Sequence, residues 1–506
     1  MTRREFCAGS LAAVAAPGLG LSAFGAMGKP NLKVGVLSDI HIMKTADAAW
    51  FEKALRQFDA EKVDAVAITG DLTICARIAE MKLVADAWFR VFPDDRRSDG
   101  TRIERIFVTG NHDVDAWTLS GQPPYGFKDR AEAERDCFYF NREKVWKELF
   151  HEDYRPVVVK EVKGYVFVLR NWISLHSFIG RETSPLKEVL AEIDGKLRQK
   201  RPFFYLQHDA LDDTVNAPWL VKGAKFRFAQ DCGFSRSCLS GYANCLALTG
   251  HSHFSLTDEQ SIWQGEFTAV NCSCLCGYAF SYPGRENGFA SLDFRRTPPF
   301  EMGVFDHRAV HQGMVMEVFD DRIVFRKRDF SYGLSLGTDW VVPLFGGCTV
   351  PPSGTPKYDP VRRAHEAKAP EFAADAKVAV RRIASGYRRT AYGDDSGLDT
   401  GDPHPQIEVS FHPVTTAHSP SRAFEFAVCA ESRIGDCVQV AKEKRVLSPN
   451  AMQSEAKDTV PCTCLFAASD IPGNCEVRFS VVPLDCWGNG GRKIVSPWTP
   501  VGGIRP

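Results

Sequence analysis

The stretch Ile106-Phe107-Val108-Thr109-Gly110-Asn111-His112-Asp113 decides how the chain folds. A short apolar run breaks off into a glycine and a cluster of groups that bind protons or metals. The same grammar occurs four more times. Val34 to Leu37 leads to Ser38-Asp39-Ile40-His41, and Val63 to Ile68 leads to Thr69-Gly70-Asp71. Phe203 to Leu206 leads to Gln207-His208-Asp209, and Cys245 to Leu248 leads to Thr249-Gly250-His251-Ser252-His253. Short apolar runs bounded by turn-formers predict buried strands. Helical spacing fills the first gaps. Ala46 to Ala60 sets Ala49, Trp50, Ala54, Leu55 and Phe58 along a broad apolar face. Ile78 to Phe92 does the same with Ile78, Met81, Val84, Ala85, Trp88 and Phe89. The β-α-β-α-β order predicts an α/β fold with parallel strands covered by helices. Open α/β sheets carry their sites beyond the carboxyl ends of the strands, so the five clusters are expected to converge on one rim.

The residue types at those strand ends suit two metal ions. Borderline divalent cations take imidazole and carboxylate together, and an Asn carbonyl fills a further position. A carboxylate between two cations bridges them at about 3.5–4 Å. Asp39-x-His41 and His251-x-His253 are each two apart, and on an extended segment such residues point to the same side. Gly70, Gly110 and Gly250 precede key residues, where a missing Cβ relieves crowding. Each motif alone is weak: Asp-x-His is common, Gly-Asp usually marks a turn, and a lone histidine is more often a core or surface residue. Five in order, each closing an apolar run, is what chance does not supply.

Around this centre the chain is ordinary. It has 506 residues, 44% hydrophobic and 25% charged, which excludes disorder, collagen and coiled coil as the main architecture. Lys+Arg number 62 against 63 Asp+Glu, so no basic excess drives nucleic-acid or anionic-membrane binding. No apolar run beyond the N-terminus reaches the roughly 20 residues of a membrane span. Residues 1–25 read as an export segment, with Arg3 and Arg4 ahead of an apolar stretch from Leu11 to Phe24 and small residues before Ala26. Thr2-Arg3-Arg4-Glu5-Phe6 resembles the twin-arginine export signal; an ordinary secretory signal holding two arginines is the alternative. Either places the mature chain in a periplasmic or extracellular compartment.

Cysteines number 16. Cys7 leaves with the export segment, so an odd number remains and at least one thiol stays free or pairs with another chain. Cys429, Cys437, Cys462, Cys464, Cys475 and Cys486 crowd the C-terminal end, where one or two disulfides are expected after export. Cys272, Cys274 and Cys276 alternate in an apolar segment and read as one face of a strand rather than a metal site; Cys462 and Cys464 read the same way.

Hairpins are expected around Lys163-Gly164 and Asp320-Asp321, making the sheets mixed. Gly346 to Asp359 holds Gly-Gly, Pro-Pro and Ser-Gly, a linker composition. Beyond it Ile407, Val409 and Phe411 alternate with polar residues, as do Phe424, Phe426 and Val428, then Val477, Phe479 and Val481. Short alternating strands separated by turns predict a β-sandwich. The organisation is therefore an export segment over 1–25, an α/β domain holding the five motifs over 30–345, a linker over 346–372 and a further sandwich domain over 373–503.

Asp39-x-His41, Gly70-Asp71, Gly110-Asn111-His112-Asp113, His208 and Gly250-His251-x-His253 together resemble the calcineurin-like metallophosphoesterases. The resemblance implies a four-layer α/β/β/α sandwich. It implies one metal on Asp39, His41, Asp71 and His253, and a second on Asp71, Asn111, His208 and His251, with Asp71 as bridge. The chemistry implied is attack on a phosphodiester or phosphomonoester by a hydroxide held between the cations. His112 resembles the histidine that protonates the leaving group, with Asp113 to orient it. Purple acid phosphatases carry a Tyr three residues after the bridging Asp; here that position is Ile74, which favours Mn, Zn or Fe(II) over an iron-tyrosinate site. The partner implied is a small phosphorylated substrate. The C-terminal sandwich resembles fibronectin type III or immunoglobulin-like domains only weakly, with a surface or glycan as its expected contact. Two other readings stand beside the enzyme: a surface or glycan-binding protein whose metal domain is chiefly structural, and a nucleotidase. His151, His176, His307 and His311 are expected in surface or packing roles, and the insert Trp117 to Asn141, with Arg130 and Arg135, either overhangs the site or is a solvated loop.

Overall fold

A computed structural model of the chain describes residues 28–114, 127–173, 184–215, 233–277, 310–383, 406–415, 419, 421–448, 450–451, 459 and 461–504. The expected export segment, residues 117–126 of the polar insert, His176 and His307 lie outside these.

Strands β1 (Leu32–Leu37), β2 (Ala65–Thr69) and β3 (Glu104–Val108) run parallel, with helix α1 (Thr45–Ala60) joining the first two and α2 (Ile78–Val91) the next pair. β2 reads Ala-Val-Ala-Ile-Thr and is buried at every position, the mark of a strand covered on both faces. The second sheet begins with β4 (Val157–Val162) and β5 (Tyr165–Arg170), the hairpin expected around Lys163-Gly164. Both turn residues have positive φ, 50° and 79°, as a tight two-residue hairpin requires. β6 (Phe203–Leu206), β7 (Cys245–Thr249), β8 (Ile262–Gln264) and β9 (Thr268–Asn271) complete it in the order β4-β5-β6-β7-β9-β8, parallel from β5 to β9. The chain then returns to the first sheet. β10 (Gln312–Val318) lies antiparallel against β1, forms the second expected hairpin with β11 (Arg322–Asp329), and β12 (Leu334–Ser335) and β13 (Trp340–Pro343) pair with β11.

Alternate residues of these strands divide among three apolar clusters. Val34, Val36, Ala65, Ala67, Ile106 and Val108 of the first sheet meet Phe167, Leu169, Phe204, Leu206, Leu246 and Leu248 of the second. Val66, Ile68 and Phe107 pack instead with α1, α2 and the helix Phe138–Phe150. Val166, Val168, Tyr205 and Ala247 pack with the helices Leu186–Glu192 and Phe234–Leu239. The face α1 presents is rotated from expectation. Ala48, Phe51, Ala54, Leu55 and Phe58 are buried, while Ala49 is exposed and Trp50 half-buried. The stripe through 48, 51, 55 and 58 follows the helical period more closely than one through 49 and 50.

After β13 the segment with linker composition is fastened to the α/β domain. Tyr358 is buried with the inter-sheet cluster and its hydroxyl accepts from the Val341 N–H at 2.7 Å. Arg363 on the short helix Pro360–Glu366 pairs with Glu259. The C-terminal region is all-β. β14 (Val378–Ile383), β15 (Gln406–Phe411) and β18 (Cys462–Ala467) form one sheet. β16 (Glu425–Ile434), β17 (Cys437–Leu447), β19 (Glu476–Leu484), β20 (Ile494–Val495) and β21 (Thr499–Pro500) form another. Ile407, Val409, Phe411, Phe426, Val428, Val477, Phe479 and Val481 share its core, as the alternation predicts. Cys462 and Cys464 sit there too, side by side on one strand face. Among the described residues no two cysteines are joined by a disulfide, against the expectation of one or two near the C-terminus; buried cysteines here pack as small apolar side chains. Among the described residues no helix is long and apolar enough to cross a membrane.

Candidate metal centre

All five motif clusters leave the carboxyl ends of parallel strands, β1, β2, β3, β6 and β7, and meet on one rim. Backbone hydrogen bonds lash the exits together. Asp39 N–H donates to Gly70 O at 3.0 Å, His41 N–H to Asp71 O at 3.0 Å, and Gly250 N–H to His208 O at 2.7 Å. A Cβ on Gly70 (φ 100°) would stand 2.5 Å from His208 Nδ1, and one on Gly250 would collide with Ser38 and Asp39. Glycine at these points is a packing requirement, as the sequence suggests.

The seven candidate ligands gather about two foci. At one, His253 Nε2 lies 3.0 Å from Asp39 Oδ1 and 3.1 Å from His41 Nε2, and His41 Nε2 lies 3.5 Å from Asp71 Oδ2. At the other, His208 Nε2 lies 3.1 Å from each of Asp71 Oδ2, Asn111 Oδ1 and His251 Nδ1. The same oxygen of Asp71 therefore belongs to both. His208 Nδ1–H donates to Thr69 O at 2.8 Å, which leaves the Nε2 lone pair facing the cluster. Asp39 Oδ2 accepts from the His251 N–H at 2.9 Å and from Ser38 Oγ.

The paired motifs reach one site by a different route from the one expected. Asp39 and His41 have φ of 48° and 47°, His251 and His253 66° and 52°. These are left-handed turns, not extended alternation. Asp71 has φ 51° as well. Such conformations in non-glycine residues cost of order 1–3 kcal/mol each and cluster at functional sites.

The electrostatics are those of a cation site. Asp39 and Asp71 are fully buried, and among the described residues their ion-pair partners are histidines only, with no Lys or Arg. Burial alone would raise both carboxyls; His253 and His208 outweigh it at Asp39, and His208 and His112 at Asp71, holding both below the usual range. His208 is opposed by burial, yet Asp71 and Asp39 push it up to about 9. Burial, then the charge on His208, drives its neighbour His251 down to about 3. Two buried carboxylates and four inward-facing imidazoles make a donor set that fits divalent metal and little else.

His112 sits half-buried at the edge. Its backbone N–H donates to Asp71 Oδ1 at 2.9 Å, its ring meets His41 edge-on at 4.7 Å, and its Nδ1–H donates to Ile74 O at 2.8 Å. Burial lowers its pKa, against Asp71, which raises it. The expectation that Asp113 orients His112 is corrected: the Ile74 carbonyl does. Asp113 is buried beneath, accepting from Thr73 N and Oγ1 at 2.8 Å, Gly110 N at 2.9 Å and Leu72 N at 3.1 Å, so that it ties the β2 and β3 exits together. Burial, then Asp71, pushes its carboxyl up to about 6.

Two further residues reach the site. Trp172, just past β5, lies with its ring 6.0 Å from His208 and 6.2 Å from His251. Cys276 Sγ lies 3.5 Å from His253 Nδ1. Burial would raise this thiol, but Cys274 and the His253 charge outweigh it and hold it well below the usual thiol range. Cys272 is buried in the inter-sheet core, but the strand-face reading fails for all three cysteines, which lie past the end of the strand. β9 ends at Asn271 and Ser273 turns left-handed at φ 61°. His311 packs flat on Trp50 at 3.6 Å, and His151 closes the helix Phe138–Phe150, both in packing roles. Arg130 pairs with Glu134 and Arg135 with Asp136 on the surface.

No curated protein shows significant sequence similarity to the chain. Among solved structures, a dimetal phosphatase from Danio rerio is 12% identical, covering 63% of this chain and 100% of its own, with a TM-score of 0.36. GAP50, the anchor in the inner membrane complex of Plasmodium, is 12% identical over 66% and 93%, TM-score 0.33. Vacuolar protein sorting 29 from Cryptosporidium parvum is 12% identical over 62% and 96%, TM-score 0.24. Likenesses at these scores place no constraint on this chain. The sequence itself is more telling: residues 32–253 match the family described as calcineurin-like phosphoesterase, a span that opens on β1 and closes on His253. Those residues form a calcineurin-like metallophosphoesterase domain.

Proposed function

We propose that the chain is an exported, dinuclear metal-dependent phosphoesterase that cleaves a phosphodiester or phosphomonoester, with the C-terminal sandwich as an accessory module. The observation that carries this reading is the convergence of seven donor side chains about two foci that share the Asp71 carboxylate, with His112 at the open edge. Asp39, His41, Asp71 and His253 would hold one cation, and Asp71, Asn111, His208 and His251 the other. Two divalent cations such as Mn, Zn or Fe(II) supply Lewis acidity toward phosphoryl oxygens and a nucleophile at neutral pH. The rest falls to the chain. His208 is held in one tautomer by Thr69 O, so its lone pair is aimed before any ion arrives. His112, fixed through Nδ1–H by Ile74 O, turns Nε2 toward the leaving-group oxygen; as the imidazolium, with both nitrogens protonated, it gives the Nε2 proton to that oxygen and is left neutral. Trp172 lies with its ring beside both His208 and His251. The three apolar clusters support the α/β/β/α layering that the family resemblance implies, and the change to all-β structure after the Pro360–Glu366 helix supports domains over 30–345 and 373–503. A purely structural metal site needs no proton donor at its edge, so the placement of His112 favours the enzyme over the surface- or glycan-binding alternative.

The test is hydrolysis of bis(p-nitrophenyl) phosphate and p-nitrophenyl phosphate by the purified chain with Mn²⁺ or Zn²⁺, with His112→Ala alongside. Turnover that needs metal and is lost in the variant is expected. Two bound ions with no turnover of either ester would turn the reading toward a binding module.

A further inference from the structure

The sulfur beside the centre has no place in the family's ligand set, and its position is built rather than incidental. The loop after β9 is stitched to the first motif: Leu275 N–H donates to Ser38 O at 3.1 Å and to Asp39 O at 3.2 Å. Cys272 N–H donates to Thr249 O at 2.7 Å, and the Gln312 N–H of β10 to Cys274 O at 2.8 Å. Gly277 bridges Val310. His311 Nδ1–H donates to Leu275 O at 2.6 Å from the other side. Cys274 and Cys276 also pack against Phe424, Ala451 and Cys486 of the C-terminal region, which backs the loop. These contacts deliver Cys276 Sγ to one nitrogen of His253, at 3.5 Å, while the other nitrogen faces Asp39 and His41.

An imidazole with one nitrogen turned to a metal carries its hydrogen on the other, and the partner of that hydrogen fixes both tautomer and ring orientation. We propose that Cys276 is a positioning residue for His253: its sulfur accepts the Nδ1 hydrogen and thereby aims the Nε2 lone pair at the focus shared with Asp39 and His41. A carboxylate or a backbone carbonyl is the usual partner in this place; here a sulfur takes it. The proposal rests on the metallophosphoesterase reading of the site.

The test titrates Zn²⁺ against a competing chelator with the full chain, its Cys276→Ala and its Cys276→Ser variants. Losing an outer-shell partner lowers metal affinity about 10–100-fold. The alanine variant is expected to lose that much for one of the two ions and to keep the other. Serine, which retains an acceptor, is expected to recover part of the loss. Equal affinities in all three proteins would overturn the proposal and leave the reading of the site intact; a wild type that binds no ion would overturn both. A second measurement needs no variant. Histidine ¹⁵N–¹H correlation spectra of the Zn²⁺-loaded wild type are expected to show His253 protonated at Nδ1, and protonation at Nε2 would sink the proposal. A sulfur-to-metal charge-transfer band in the Co²⁺-loaded wild type would do so as well, by placing Cys276 among the ligands.

Discussion

In the all-β C-terminal region, Ile407, Val409 and Phe411 share a core with Val477, Phe479 and Val481, and positive φ after residue 345 falls, among the described residues, on glycines alone. On the rim of the α/β domain the terms are reversed. Two buried carboxylates face four imidazoles, and five of the seven candidate ligands hold left-handed backbone. One region is held by apolar area removed from water, which depends little on pH or ions. The other spends stability on a geometry that only cations and shared protons can balance. The two should therefore answer differently to the same insults.

The largest separation is expected from Asp71→Asn. Loss of the carboxylate common to both foci should lower metal content and hydrolysis by more than the ~10–100-fold cost of an outer partner, measured by elemental analysis and ester turnover. The C-terminal β region should melt as before. His112→Ala should cut turnover by about 10²–10⁴-fold with metal content unchanged, the signature of a lost proton donor. Equal loss of metal in this variant would place His112 among the ligands. Phe479→Ala inverts the comparison: it should destabilise the C-terminal β region by about 3–5 kcal/mol while the affinity for Zn²⁺ stays put. A large fall in metal affinity would mean that the C-terminal β region, through its contact with the Cys276 loop, sets the site.

The smallest effect is one of pH. In metal-free protein His208 is pushed up to about 9, above the ordinary histidine value near 6.5. A raised histidine contributes stability that is full below the unfolded value and fades as pH climbs through the folded one. The advantage of wild type over His208→Gln, both stripped of metal, should shrink between pH 6.5 and 9 by up to about 3 kcal/mol. Denaturant midpoints that differ equally across that window would refute the shared-proton account. Phe479→Ala should show no such slope.

What the sequence made legible were features carried by short range. Each apolar run that breaks into Gly-Asp, Gly-Asn-His or Gly-His-x-His is a local signal, and all five strand exits lie where the runs end. Both hairpins are set by their turns. The alternation of Ile407, Val409 and Phe411 survives because one face of that strand packs into a core and the other does not. The misses have a common cause in contacts that local pattern does not carry. Asp113 follows His112 in the chain, yet its carboxylate goes to Leu72, Thr73 and Gly110. The orienting carbonyl of Ile74 sits 38 residues away. Cys276 looked like the third tooth of a strand face until a left-handed Ser273 turned the chain. Trp172 carried no motif at all and became relevant only because β5 delivers it beside β6 and β7.

The left-handed backbone at Asp39, His41, Asp71, His251 and His253 has a consequence for how such a chain ages. A non-glycine residue in that conformation gives up about 1–2 kcal/mol that glycine would not. A glycine at any of these five positions relaxes the backbone and removes a donor in the same stroke. In a gene copy selected only for a sturdy fold, mutational drift would enter here first, and the sturdier descendants would be inert. The rim is the part of the molecule that only continued use can maintain.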